Sequence, residues 1–108
     1  MPPSENLDIL SRLEAWFKAE CDGDWEHNYG INIETSDNPG WIIKIDLSET
    51  SLFGLGSAEK RCDVSEKDWI NVKISELIFE GSCSAGKLLE LIDEFLYFTE
   101  NRKLRDSS

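Results

Sequence analysis

The sequence predicts an α+β fold: one antiparallel β-sheet of about four to six strands, with the first and last helices packed on one of its faces. Three observations predict it. Apolar residues recur every three to four positions at both ends of the chain, alternate every second position through the middle, and are separated there by clusters of turn formers. With 108 residues the chain is expected to be one domain over residues 1–108, frayed at 1–4 and 101–108. That length buries a core without disulfide staples. Hydrophobic residues at 40% and charged residues at 31% are globular values, which exclude wholesale disorder.

The first helix starts at Pro2-Pro3-Ser4, where Ser4 can cap orphan amides and Glu5 and Asp8 meet the positive end of the dipole. Leu7, Leu10, Leu13 and Phe17, flanked by Ile9 and Trp16, recur at helical spacing, while Arg12, Glu14 and Lys18 point outward. Gly23 suits a left-handed conformation just past the helix and stops it. From Tyr29 the period is two. Tyr29, Ile31, Ile33 and Thr35, then Trp41, Ile43, Ile45 and Leu47, read as half-buried strands, and Ser36-Asp37-Asn38-Pro39-Gly40 between them reads as a hairpin turn.

Gly54 and Gly56 break that pattern, leaving residues 50–56 as an irregular loop that displays Leu52, Phe53 and Leu55. Cys62 and Val64 lie in a weaker alternating segment, and residues 69–75 and 77–81 are further strands, so the middle of the chain is a meander. From about Ser84 the helical period returns in Leu88, Leu89, Leu91, Ile92, Phe95, Leu96 and Phe98, with Glu90, Asp93 and Glu94 opposite. Arg102, Lys103 and Arg105 follow at the negative end of that helix. The sheet face formed by Ile31, Ile33, Ile43, Ile45, Ile70, Val72 and Ile74 is expected to meet Leu10, Leu13, Phe17, Leu88, Ile92 and Phe95.

Charge bounds the partners. The 22 acidic and 11 basic residues leave a formal charge of -11, which repels nucleic acid and anionic lipid and attracts a basic surface. No apolar run is long enough to cross a bilayer and the first residues carry no basic or apolar leader, so a cytoplasmic protein is expected. Cys21, Cys62 and Cys83 are odd in number and widely spaced, which fits neither a disulfide framework nor a zinc knuckle.

Three groups of residues carry possible chemistry. Asp22, Asp24, Glu26 and His27 put hard oxygens and an imidazole close together, yet they lack the ligand spacing of calcium loops and the paired histidines of metalloproteases. A partner contact, or a solvated turn with Trp25 in the core and His27 paired locally, fits them better than metal catalysis. Gly81-Ser82-Cys83-Ser84-Ala85-Gly86-Lys87 follows an apolar strand and opens a helix as a phosphate-binding loop would, but Leu88 stands where the magnesium-binding hydroxyl belongs. The plainer reading is a turn in which Ser82 or Ser84 caps the last helix. Cys83, near a helix start and Lys87, could act as a thiolate, yet no histidine lies near it in sequence.

The first group also carries a resemblance. Cys21-Asp-Gly-Asp-Trp-Glu-His27, Tyr29-Gly-Ile31, Ile33-Glu-Thr35 and Asp37-Asn-Pro-Gly-Trp41, running into Ile45-Asp-Leu47, are together similar to the immunity protein 53 family. The matching residues cover roughly the first half of the chain; the second half is similar mainly in its pattern. Members of that family are bacterial proteins, encoded beside polymorphic toxins, that bind and neutralise them. The resemblance implies an immunity protein that contacts a cognate toxin domain directly. The incomplete motifs lead us to expect no enzyme activity, no cofactor and no metal, and a monomer is expected though the sequence does not fix the oligomeric state. A basic nuclease toxin would suit its charge. The expected partner-binding residues are Asp22, Asp24, Trp25, Glu26 and His27, with Asp37 and Trp41 from the hairpin brought alongside them. Trp25 and Trp41 are either core anchors or interface hot spots, since tryptophan serves both roles. The alternative is a small enzyme that binds nucleotide or transfers sulfur through loop 81–87 or Cys83.

Overall fold

β-Branched and aromatic side chains at alternate positions are best buried by an extended chain, and segments of this kind, with one more polar edge segment over residues 58–65, pair into one five-stranded antiparallel sheet. The computed structural model describes the backbone of residues 4–104 and the side chains of residues 8–104. The elements are α1 (Ser4–Glu20), α2 (Trp25–Asn28), β1 (Ile31–Ser36), β2 (Gly40–Asp46), β3 (Ala58–Ser65), β4 (Asp68–Ile74), β5 (Ile78–Ser84) and α3 (Leu88–Asn101). The cap at Ser4, the charge of Glu5, the inward Leu7 and Arg105 lie outside the described side chains. Asn101 closes α3, Arg102 caps it in the left-handed region at φ 59°, and Leu104 packs against the core.

The strand order is β1-β2-β5-β4-β3. β3, β4 and β5 run as a meander, but β2 pairs with β5, not with β3. Residues 47–57 therefore carry the chain from the end of β2 across one end of the sheet to its far edge. The register puts Ile31 opposite Ile45, Ile33 opposite Ile43, Gly81 opposite both Ile43 and Val72, Phe79 opposite both Ile45 and Ile74, and Ile70 opposite Cys83. Directly opposed residues share a face, so the seven expected inward residues do line one face, with Phe79 and Cys83 among them.

α3 covers that face with Leu91, Ile92, Phe95, Leu96 and Phe98, all buried. It lies close on β5 because residue 81 is glycine: a Cβ there would sit 2.6 Å from Leu91 Cδ1. α1 packs chiefly on α3, and its inward stripe differs from the one expected. Leu13 is buried, with Ile9 and Trp16 packed against the core, whereas Leu10 and Phe17 are exposed. The reason is Trp16, whose ring meets Phe95 edge-on at 4.8 Å; seating the largest side chain turns Leu10 and Phe17 outward.

Three further expectations change. Leu52 is buried, not displayed, and with Leu47 closes the end of the core under the crossing segment. Glu94 is buried, not opposite the core, because Lys60 of the edge strand β3 points to the helix face and its Nζ reaches the Glu94 carboxylate at 3.2 Å. An inward charge on an edge strand also guards against edge-to-edge pairing. Neither Ser82 nor Ser84 caps α3: both lie in β5, and the Ser84 hydroxyl accepts the Trp69 N–H at 3.2 Å.

Ile33 and Ile45 share the helix face but differ in cover, at 41% and 1% exposure. Ile45→Ala should cost about 2–5 kcal/mol and Ile33→Ala about 1 kcal/mol or less. Denaturant midpoints at constant m-value check the difference, and equal losses would mean that the helices cover the sheet evenly.

Candidate functional site

α1 stops at Glu20, where the Cys21 N–H still reaches the Phe17 carbonyl at 3.2 Å, and Gly23 at φ 97° reverses the chain. The turn that follows is held by its own carboxylates. Asp22 Oδ1 accepts the N–H groups of Asp24 at 2.9 Å and Trp25 at 3.0 Å. In return the Glu26 carboxylate accepts the N–H groups of Asp22 at 2.9 Å and Gly23 at 2.7 Å. The two carboxylates thus brace the backbone that leads into the single turn α2, whose N-cap, Asp24, makes no side-chain cap hydrogen bond. The Trp25 N–H, then that of Asp24, holds the Asp22 carboxyl below its usual range; the backbone N–H groups of Glu26 itself, Asp22 and Gly23 do the same for Glu26.

The remaining loop residues divide between core and solvent. Trp25 is fully buried: its indole N–H donates to the Asp46 carbonyl at 3.1 Å, and its ring meets Trp16 edge-on at 5.6 Å. Of its two possible roles it takes that of core anchor. Asp24 is exposed, gives its carbonyl to the N–H groups of His27 and Asn28, and has no ion pair among the described residues. His27 is exposed on the same turn. Among the described residues no group of three or more His, Cys, Asp or Glu side chains could hold a metal ion.

Asp37 and Trp41 are elsewhere. An antiparallel hairpin puts its turn at the end of β1 remote from the loop that enters it, so β1, at about 3.3 Å per residue, separates Asp37 from Asp24 by roughly 20 Å. The expectation that the hairpin turn joins the acidic loop is therefore not met. Trp41 is half-buried and donates its indole N–H to the Ala85 carbonyl at 2.9 Å. That acceptor, Ala85, lines an open groove of 810 Å³ together with Asn38, Pro39, Glu66 and Trp69.

The acidic loop instead neighbours the crossing segment and the β4–β5 turn. The Asp46 N–H donates to the Gly30 carbonyl at 3.1 Å and the Ser51 hydroxyl to the Glu20 carboxylate at 3.2 Å. The Leu47 N–H reaches the Leu77 carbonyl at 2.8 Å, and the Gly54 N–H reaches that of Glu76 at 3.5 Å. At this end Phe53 is 53% exposed, Leu55 38% and Leu77 56%. Sequence reasoning placed Leu77 inside a strand. The available signal was a leucine beside Ser75 and Glu76 at the break between two alternating runs.

Loop 81–87 offers no cradle for phosphate. Its first four residues are strand, and Lys87 Nζ is held by Asp68 at 2.9 Å and Glu90 at 3.4 Å; the bond to Asp68 leads in raising its pKa. Cys83 is buried on the helix face, and burial pushes its thiol up, away from the reactive thiolate. No helix among the described residues is long and apolar enough to cross a membrane.

The lowered carboxyls give the loop a pH signature. A carboxyl whose folded pKa lies below its unfolded value stabilises the fold above the unfolded value, near 4 for Asp and Glu, and loses that stabilisation as pH falls through the folded value. The wild-type unfolding midpoint should therefore drop below about pH 4, and Asp22→Asn should shrink that drop. An Asp22→Asn pH profile parallel to wild type would contradict the assignment.

A family model described as Immunity protein 53 matches residues 10–100. No curated protein and no solved structure matches the chain. The matched residues take in all five strands, the acidic loop, α1 from Leu10 onward and α3 as far as Glu100. The chain belongs to the immunity protein 53 family.

Proposed function

We propose that this chain neutralises a cognate toxin domain of a polymorphic toxin system by direct contact, as a cytoplasmic monomer without enzymatic turnover or cofactor. The observation that carries the reading is the family match over residues 10–100. The charge of -11 supports it, since long-range attraction speeds the encounter with a basic domain such as a nuclease. Asp24 is proposed to lead the steering, with His27 on the rim. Asp22 and Glu26 shape the loop, and Trp25 holds it from beneath. Asp37 and Trp41 join the contact only if the partner lies along β1.

The direct test is co-expression with the C-terminal domain of the toxin encoded beside the gene. Restored growth together with a co-purifying stoichiometric complex is expected. Growth arrest with both proteins folded and no complex would refute the reading. Because rim charges act mainly on association, Asp24→Lys should slow binding several-fold at low salt and little near 1 M salt. Asp37→Lys, at the other end of the sheet, should change the rate less, and the reverse ranking would move the steering charge to the hairpin turn. Titration with ATP and magnesium should give no binding; saturable heat lost in Lys87→Ala would restore the nucleotide reading.

A further inference from the structure

We infer that the toxin-facing surface is the end of the sheet centred on Phe53, Leu55 and Leu77, and that it seats a basic protein surface with an apolar recess. This rests on the immunity reading and names its contact. The three side chains come from two separate turns, the crossing segment and the β4–β5 connection, brought together where the Gly54 N–H meets the Glu76 carbonyl. All three are large, apolar and more than a third exposed. Isolated exposed leucines are ordinary, but three large apolar groups on adjoining turns mark a contact surface.

The patch is also held in place. Leu47 and Leu52 of the same segment are buried, and the Thr50 hydroxyl donates to the Leu47 carbonyl at 2.8 Å while accepting the Leu52 N–H at 3.1 Å. The Phe53 N–H then donates to the Thr50 carbonyl at 3.2 Å. A segment pinned on either side of its exposed phenylalanine loses little further freedom on binding.

The rim selects the partner's charge. Glu49 is exposed on the crossing segment, Glu76 is exposed beside Leu77, Asp24 lies at the same end of the sheet, and none of the three has an ion pair among the described residues. Arg102 reaches this segment with its guanidinium occupied by the Ser51 carbonyl at 3.1 Å, and Lys73 lies beside Ser57 and Ser75. An apolar centre with an acidic rim is the complement of an apolar recess among lysines and arginines. Glu49 also holds φ 63°, a conformation that favours glycine, at the third position of the turn closed by Thr50 N–H on Leu47 C=O. Glutamate there carries a conformational cost while its side chain adds charge at the rim.

The test measures affinity for the neighbouring toxin's C-terminal domain. Phe53→Ser with Leu77→Ser should weaken binding by a factor of about 100, mostly through faster dissociation, with the thermal midpoint nearly unchanged. Glu49→Gly, which suits the backbone, should slow association at low salt and leave the fold at least as stable. Ile33→Ser, an equally open apolar site on edge strand β1, is the control and should bind as wild type. Binding lost with Ile33→Ser and kept in the double variant overturns the inference and moves the contact to that edge. Wild-type binding shared by all variants overturns it too, leaving the immunity reading intact. A wild-type dimer dissolved by the double variant, with toxin affinity unchanged, would assign the patch to a second copy instead. A folded wild type that fails to bind refutes the immunity reading itself.

Discussion

A chain of aromatic contacts runs through the molecule, and the other elements depend on it. Phe79 of the central strand β5 meets Phe95 of α3 at 5.0 Å, Phe95 meets Trp16 of α1 at 4.8 Å, and Trp16 meets Trp25 of the acidic loop at 5.6 Å. Each contact is edge-on, the arrangement that brings a positive ring edge to a negative ring face and adds about 0.5–1.5 kcal/mol beyond area burial. The first link requires α3 to lie close on β5, which Gly81 permits. The second sets the rotation of α1. The third fixes the loop, and the indole N–H of Trp25 carries the connection onward to Asp46 at the end of β2.

This arrangement gives the carboxylates of the loop two kinds of work. Asp22 and Glu26 satisfy backbone N–H groups where the chain turns too tightly to pair them otherwise, so their charge is tied to structure. Asp24 keeps its carboxylate in solvent and contributes through its carbonyl instead. Negative charge is therefore available beside a rigid frame, and association gains from charge already held in place. The crossing segment follows the same division, with Leu47 and Leu52 facing the core and Phe53 and Leu55 facing out.

Local periodicity made much of this fold legible. The alternation of Ile31, Ile33, Ile43, Ile45, Ile70, Val72 and Ile74 identified one sheet face because a strand offers only two. α1 was ambiguous for a related reason: Ile9, Leu13 and Trp16 compete with Leu10, Leu13 and Phe17 as overlapping stripes, and only contact with α3 and Trp25 decides between them. The placement of β3 at the far edge, the burial of Leu52 and the exposure of Leu77 depend on where residues 47–57 travel, and an aperiodic stretch carries no local sign of its route. The acidic loop stood out by composition, but its distance from Asp37 follows from hairpin topology and was open to derivation. The pairing of Lys87 with Asp68 needed the β3–β4 hairpin to bring a remote carboxylate to the start of α3.

The central claim is that one end of the sheet, where the acidic loop, the crossing segment and the β4–β5 turn are stitched together, faces the partner. Amide hydrogen exchange of the chain, free and in complex with the neighbouring toxin's C-terminal domain, tests it most directly. The account predicts slowed exchange at residues 22–30, 47–57 and 75–77, with little change at residues 37–40, 65–68 and 84–87 at the opposite end. Protection confined to that opposite end, or to the edge strand β1, would contradict it.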